Sequence, residues 1–193
     1  MSERFGTESE VLGRWPEPAA PSLRLLLRQW ALWRDAEGRP PARSRIDPGL
    51  LKPCLPDMWL FRLMEGGKDL VCTLAGENIR EAWGFSIIGK RPEELWGETA
   101  GRVARSRMAR AAKRPALIHG LTGILPDGTE GKAAERLILP LVDDAAAPWG
   151  ALGITCFRFN PIQDRGRIVG PVMHSTLYPC ADLPKEPPPE SAI

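Results

Sequence analysis

The stretch from residue 69 to residue 95 constrains the fold most, because a strand pattern there gives way to short helical pieces separated by glycines. Side chains over residues 70–74 alternate between two faces, as they do in a strand that packs on a core. Beyond Gly76, residues 77–83 form a short helical pattern that stops at Gly84, a residue typical of helix C-termini. A strand that runs into several short helices separated by glycines excludes a plain helical bundle or β-sandwich. Short helices that cover a sheet also leave a small enclosed space.

The neighbouring segments supply the sheet and one longer helix. Residues 58–64 alternate like a strand and are predicted to form a hairpin with the strand at 69–75. Pro92 begins another short helical piece, and a longer helix with small apolar residues on one arc is predicted from about 99 to 113. Three further antiparallel strands are predicted at residues 115–125, 132–142 and 150–159.

A helix with two apolar faces is predicted over residues 22–36. Its main stripe, at a spacing of three and four residues, consists of Leu23, Leu26, Leu27, Trp30 and Trp33. Leu25 and Leu32 lie on the opposite side, and a surface helix needs only one buried face. Two interpretations remain open: the helix is wedged between two parts of its own domain, or a partner subunit covers one face. In the second, the dimer helix uses Leu23, Leu26, Trp30 and Trp33.

Composition and charge exclude several classes of protein. The net charge of +2 gives no general attraction to nucleic acid or membranes, and no apolar run reaches the length of a membrane helix. The polar, acidic N-terminus lacks a signal pattern, which predicts a cytoplasmic protein. Four cysteines without a C-x-x-C spacing and two histidines predict buried, reduced thiols and no metal site.

The order of short motifs resembles one family of proteins. Tryptophans on the first helix are followed by a Pro-Arg-x-x-x-Asp-Pro-like segment, a Leu-Pro step into the first strand, and three glycine motifs. These motifs are Trp30 and Trp33, residues 41–48, Leu55-Pro56, Leu74-Ala75-Gly76, Trp83-Gly84-Phe85 and Gly89-Lys90. Over roughly residues 22–160 the chain resembles the alphaproteobacterial single-domain PAS proteins that carry an N-terminal helix. Cys72 and Thr73 stand where that family usually has a Tyr/Arg pair.

The resemblance implies an α+β PAS fold, with a five-stranded antiparallel sheet, short helices and one longer helix on one face, and an N-terminal helix. The domain organisation that we predict is a flexible lead-in (1–21), the N-terminal helix and a proline-rich connector (22–56), the PAS domain (57–160) and a proline-rich tail (161–193).

The same resemblance implies a bacterial signal-transduction protein, and the lack of a nucleophile elbow or a phosphate-binding loop in the sequence predicts that it is not an enzyme. We predict a cytoplasmic PAS sensor or adaptor that binds a small molecule or a protein partner, and that signals through altered contacts in a homodimer or with the partner. One alternative is a protein-interaction module without a ligand. The other is a haem or redox sensor that uses His119 or a cysteine. The cofactor is unknown, since the flavin-binding cysteine motif is missing and the helix at 99–113 carries no histidine to bind haem iron.

Two sets of residues are candidates for binding. An apolar cavity for a small organic ligand is predicted to use Trp83, Phe85, Trp96, Met108, Leu117, His119 and Leu121, with Leu139, Ile154 and Cys156 as its floor. The alternative is that these side chains fill the core completely. A basic arc on the longer helix gives a candidate anion site, formed by Arg102, Arg105 and Arg110, for a cyclic dinucleotide or an acidic protein surface. A charged arc is also typical of a plain solvated face.

Overall fold

A computed structural model describes residues 8–64, 67–124, 130–157 and 172–189. In this part of the chain there are seven strands and three α-helices. The strands are β1 (Glu8–Glu10), β2 (Met58–Met64), β3 (Asp69–Ala75), β4 (Ala116–Ile124), β5 (Glu130–Val142), β6 (Pro148–Phe157) and β7 (Val172–Pro179). The helices are α1 (Pro21–Trp33), α2 (Glu77–Trp83) and α3 (Pro92–Lys113).

All described strands join one sheet, in the order β1-β7-β4-β5-β6-β2-β3. The central strands β2 to β6 are antiparallel, and the predicted hairpin of 58–64 with 69–75 is confirmed at those bounds. The strand count differs from the predicted five, because β7 pairs with β4 along an edge that would otherwise leave backbone groups unpaired, and β1 pairs with β7. Parts of the segments predicted as lead-in and tail therefore belong to the sheet.

Some predicted segments lie outside the described residues. They are the ends of the chain at 1–7 and 190–193, the stretch 158–171 within and before the predicted tail, and the turns at 65–66 and 125–129.

The two faces of the sheet carry separate hydrophobic cores. On the face covered by α2 and α3, here named the α3 face, the buried side chains include Trp59, Phe61, Leu70, Ile79, Trp83, Leu95, Met108, Ile118 and Ile138. On the face covered by α1, here named the α1 face, they include Leu23, Leu26, Leu27, Trp30, Leu117, Leu137, Leu139, Leu152 and Ile154. Because successive strand residues point to opposite faces, neighbours in sequence belong to different cores.

Helix α3 consists of two segments that meet at a glycine. Gly97 has φ 76° and ψ 168°, a left-handed backbone that favours glycine, and it separates a short first segment from the long one. The second segment then packs closely against the first, since a Cβ on Gly101 would lie 2.3 Å from the Cα of Glu93. The sequence pattern predicted these two pieces, with the second starting at about residue 99.

Helix α1 is an internal part of the domain. Leu23, Leu26 and Trp30 have no exposed surface, and the Trp30 indole donates a hydrogen bond of 3.0 Å to the carbonyl of Pro140 in β5. The main stripe of the helix therefore lies against the sheet, and three of the four predicted dimer-helix residues are inaccessible to a partner. The fourth, Trp33, is half-buried and packs against the same core, while Leu32 is 53% exposed.

Candidate functional site

Three tryptophans meet on the α3 face, between the helices and the sheet. Trp59 of β2 lies flat over Gly153 of β6, where a Cβ would sit only 2.1 Å from the indole ring. The rings of Trp83 and Trp96 pack edge to face with their centroids 5.7 Å apart. The Trp59 ring can therefore lie this close to β6 only because residue 153 is a glycine.

The cluster bounds two small cavities, which we name together the α3-face cleft. The first, of about 20 Å³, is lined by residues that include Trp59, Phe61, Trp83, Trp96, Arg136 and Thr155. The second, of about 30 Å³, is lined by residues that include Trp59, Trp96, Met108, Ile118, Arg136 and Ser175. Each has room for one or two water molecules, whereas a drug-sized ligand needs several hundred Å³. Trp59, Trp96 and Arg136 line both cavities.

The sequence prediction placed three of its seven pocket residues in this cleft. Trp83 lines the first cavity, Met108 the second, and Trp96 both. Phe85 is 45% exposed and contacts Trp83 from outside, with ring centroids 5.9 Å apart. It therefore belongs to the surface above the cleft and not to its wall.

The other predicted wall residues lie on the wrong side of the sheet. Leu117 packs in the α1-face core, and His119 and Leu121 follow it at the same alternation of β4. The predicted floor residues Leu139, Ile154 and Cys156 belong to that core or pack against it. The β4 side chain that reaches the cleft is Ile118, the residue after Leu117. Because β4 is apolar on both faces, the prediction assigned the wrong face of this strand to the cleft.

Polar groups in the cleft escaped the sequence analysis. Arg136 of β5 donates through Nε to the hydroxyl of Thr155 at 3.0 Å, and the Trp59 indole donates to the same hydroxyl at 3.0 Å. Ser175 of β7 lines the second cavity. The sequence did contain a signal for Arg136: by strand alternation this charged residue lies on the same face as the apolar Ile138, opposite Leu137 and Leu139. A charge on a predicted buried face indicates a polar group inside the core.

The predicted anion site is a surface groove whose arginines have carboxylate partners. The groove, of about 1,020 Å³, is lined by residues that include Lys68, Arg102, Arg105, Arg110, Lys113 and Arg114. Arg102 lies 3.5 Å from Glu98, Arg105 lies 2.6 Å from Glu93, and Arg110 pairs with Glu8. The structure thus gathers the three predicted residues as expected and also neutralises a part of their charge.

On the α1 face, His119 takes part in a polar anchor. Its Nε2 lies 2.7 Å from Oε1 of Glu135. The same oxygen accepts from the backbone N–H of Ala19 at 2.8 Å, and Oε2 accepts from that of Ala20 at 2.9 Å. Burial alone would raise the pKa of Glu135, but the hydrogen bonds from His119 and the two amides lower it to about 2. His119 is therefore held at the start of α1, on the face opposite the cleft.

The cysteines are poorly suited to redox chemistry in this fold. Burial raises the pKa of Cys54 to about 11 and that of Cys72 and Cys180 to about 12, so their reactive thiolates are scarce at neutral pH. In the described ranges, no group of three His, Cys, Asp or Glu residues is arranged to hold a metal ion. Likewise, no helix of those ranges is both long enough and apolar enough to cross a membrane.

The architecture and the cleft define the class of protein. Antiparallel strands with α2 and the two-part α3 on one face, enclosing a small aromatic cleft, form the arrangement expected for a PAS domain. The family model of the PAS domain matches residues 19–156, which is more than half of the chain. The protein therefore belongs to the PAS domain family, whose members are sensory and signalling modules. Among curated proteins, none matches the chain.

The solved structures that match the chain are only distantly similar to it. A Vibrio cholerae VqmA dimer is 15% identical over 55% of this chain and 49% of that chain, with a TM-score of 0.42, so the match spans about half of VqmA. A fungal LOV domain photoreceptor is 19% identical over 72% of this chain and 92% of that chain, with a TM-score of 0.41. An RNA-binding light-oxygen-voltage receptor is 19% identical over 66% and 38%, with a TM-score of 0.38.

Proposed function

We propose that the protein is a cytoplasmic, non-enzymatic PAS sensor or adaptor that holds a small molecule in the α3-face cleft. It signals by changing its contacts with a second copy or with a partner protein. The observation that carries the proposal is the cleft itself, where aromatic walls surround convergent polar groups from Arg136 and Thr155. Apolar walls with a few placed polar groups are typical of small-molecule sites.

A chain of ring contacts links the cleft to the surface. Trp96 lines both cavities and packs on Trp83, which packs in turn on the exposed Phe85. Ile88, which is 54% exposed, follows Phe85 by three residues in the segment that connects α2 to α3. A ligand that displaces Trp96 would therefore shift Phe85 and Ile88, and with them an apolar patch that a partner can contact.

Native mass spectrometry of the freshly purified full chain tests this function. We expect a retained small molecule, or one found by a thermal-shift screen, whose binding is lost in Ala104→Leu, since Ala104 lines the second cavity. The matched control is Ser106→Leu, on the exposed side of the same helix. Binding that survives Ala104→Leu, or that is lost equally in Ser106→Leu, would contradict the cleft as the site.

The second candidate is the interaction module without a ligand, favoured by cavities of only about 20 and 30 Å³. In that case the cleft holds no ligand, and Phe85 and Ile88 contact the partner directly. Independently of the cleft, the basic groove offers a surface for an acidic protein or a cyclic dinucleotide. Titrating the chain with a cyclic dinucleotide, beside an Arg102→Gln/Lys113→Gln variant, tests the groove. Equal responses of the two proteins would remove the groove from consideration.

A further inference from the structure

Arg136 is a buried cation without a carboxylate partner among the described residues. Its side chain donates to Thr155 and lies over Trp96, with Cζ 5.9 Å from the ring centroid, while only 8% of the residue is exposed. Burial lowers the pKa of this guanidinium to about 10, so it stays charged at neutral pH. A buried charge that lacks a counterion is costly, and proteins normally pair it.

The residues around Arg136 form a row across four strands. Thr155 of β6 is opposite Arg136 of β5, which is opposite Gly120 of β4, which is opposite Ser175 of β7. Residues opposite one another in neighbouring strands share a face, so the row lies on the α3 face. Gly120 has no side chain, and the row therefore contains a gap between Arg136 and Ser175.

Ser175 supplies a second polar group without a partner. Its hydroxyl is buried and makes no hydrogen bond to the part of the chain that the structure describes. Such a hydroxyl loses its bonds to water on folding, which is unfavourable unless a ligand or a water molecule replaces them. Arg136 and Ser175 line the same cavity of about 30 Å³, together with Arg107, which adds positive charge and lies 3.5 Å from Glu8.

We propose that this cavity binds the carboxylate of a small organic acid, held by the guanidinium of Arg136 and the hydroxyl of Ser175. The inference rests on the proposed function, because it names the class of ligand for the same cleft. A guanidinium fork matches the planar carboxylate, which accepts two parallel N–H bonds, and the serine hydroxyl donates a further one. Because the cavity of about 30 Å³ has room for only one or two water molecules, the acid must displace Trp96, as in the proposed function, and its short carbon chain then lies against Trp59 and the displaced ring.

Acetate is the probe, and thermal unfolding of the full chain is the measurement. We expect sodium acetate at pH 7 to raise the Tm saturably, beyond the change that sodium chloride causes at the same ionic strength. Arg136→Met should abolish this difference, and Ser175→Ala should raise the Kd for acetate about tenfold. The control is Arg62→Met, at an exposed arginine of β2 outside both the cleft and the basic groove, which should behave like the wild type.

Equal effects of acetate and chloride would overturn the inference, as would an acetate response that persists in Arg136→Met. Replacing a buried charged side chain by methionine often leaves the stability of the fold unchanged or raises it, so we expect Arg136→Met to fold. If it does not, Ser175→Ala provides the test. A ligand whose binding is lost in Ala104→Leu, but which acetate does not displace and which still binds Arg136→Met, would refute only the inference that the ligand is a carboxylate. If no small molecule is found whose binding depends on Ala104, the proposed function itself is refuted.

Discussion

Glu135 joins the sheet to the start of α1, because one buried carboxylate accepts from His119 and from two backbone amides that precede the helix. We expect Glu135→Gln to lower the free energy of unfolding at pH 7 by about 1–3 kcal/mol, since a charged acceptor of buried donors is lost. Urea unfolding of the variant and the wild type measures this difference. The control is Glu98→Gln, whose side chain is largely exposed and should change little.

The same carboxylate predicts a pH dependence of stability. Its folded-state pKa of about 2 lies below the ordinary value of 4.5, so its contribution is complete above about pH 4.5 and disappears as the pH falls toward 2. The gap in stability between wild type and Glu135→Gln should therefore shrink steadily in that window. A gap that stays constant from pH 7 to pH 3 would show that the charge of Glu135 does not stabilise the fold.

Gly153 controls the aromatic cluster on the other face. We expect Gly153→Ala to cost about 1–3 kcal/mol of stability, because its Cβ would overlap the Trp59 ring and the well-packed cluster must shift. Tryptophan fluorescence and urea unfolding measure the shift and its cost. In a Trp59→Leu background the same substitution should cost much less, and an equal cost in both backgrounds would contradict the overlap.

Whether a residue could be assigned to the correct face of the sheet from the sequence depended on whether it lies in a helix or in a strand. Trp83, Trp96 and Met108 were predicted correctly in the cleft because they come from helices, whose apolar stripes point to one side. Strand β4 carries Leu117 and Ile118 on opposite faces, both fully buried, so its apolar pattern fits either face equally well. Only the pairing with β5 and β7 decides between them, and that pairing is a property of the fold.

At the scale of elements, α1 behaves as a core helix. We expect Trp30→Ala to cost about 3–5 kcal/mol of stability, because a buried indole and its bond to the Pro140 carbonyl are lost. Leu32→Ala, on the exposed side of the same helix, should change stability by less than about 0.5 kcal/mol. Thermal and urea unfolding compare them. Comparable losses for both variants would mean that α1 has a second buried face, as in a dimer.

The elements themselves were largely predictable, and their ends were set by recognisable residues. Gly84 ends α2 with a left-handed φ of 73°, and Gly97 divides α3 in the same way. No side chain of the helix caps the N-terminus of α1, and the two residues before the helix, Ala19 and Ala20, are instead held by Glu135 from β5. A contact that arrives from a distant strand leaves no local sequence signal.

At the scale of the whole molecule, the family match and the folded unit have different boundaries. The PAS family model ends at residue 156, whereas β7 begins at Val172 and pairs with β4 from Ala116 to Thr122. Proline-rich surroundings hid this strand from the sequence analysis, although Leu177 and Tyr178 reach the α3-face and α1-face cores respectively. Ser175, a component of the cleft, therefore comes from outside the matched region.

Shortening the chain tests whether β7 belongs to the functional unit. A form ending at residue 160 would leave the edge of β4 unpaired, and an open edge strand favours pairing between molecules. We expect lower stability and concentration-dependent association in analytical ultracentrifugation, together with loss of the acetate-specific rise in Tm. The control ends at residue 189 and keeps β7. A short form that stays monomeric, stable and responsive to acetate would show that the matched region suffices and that Ser175 has no part in binding.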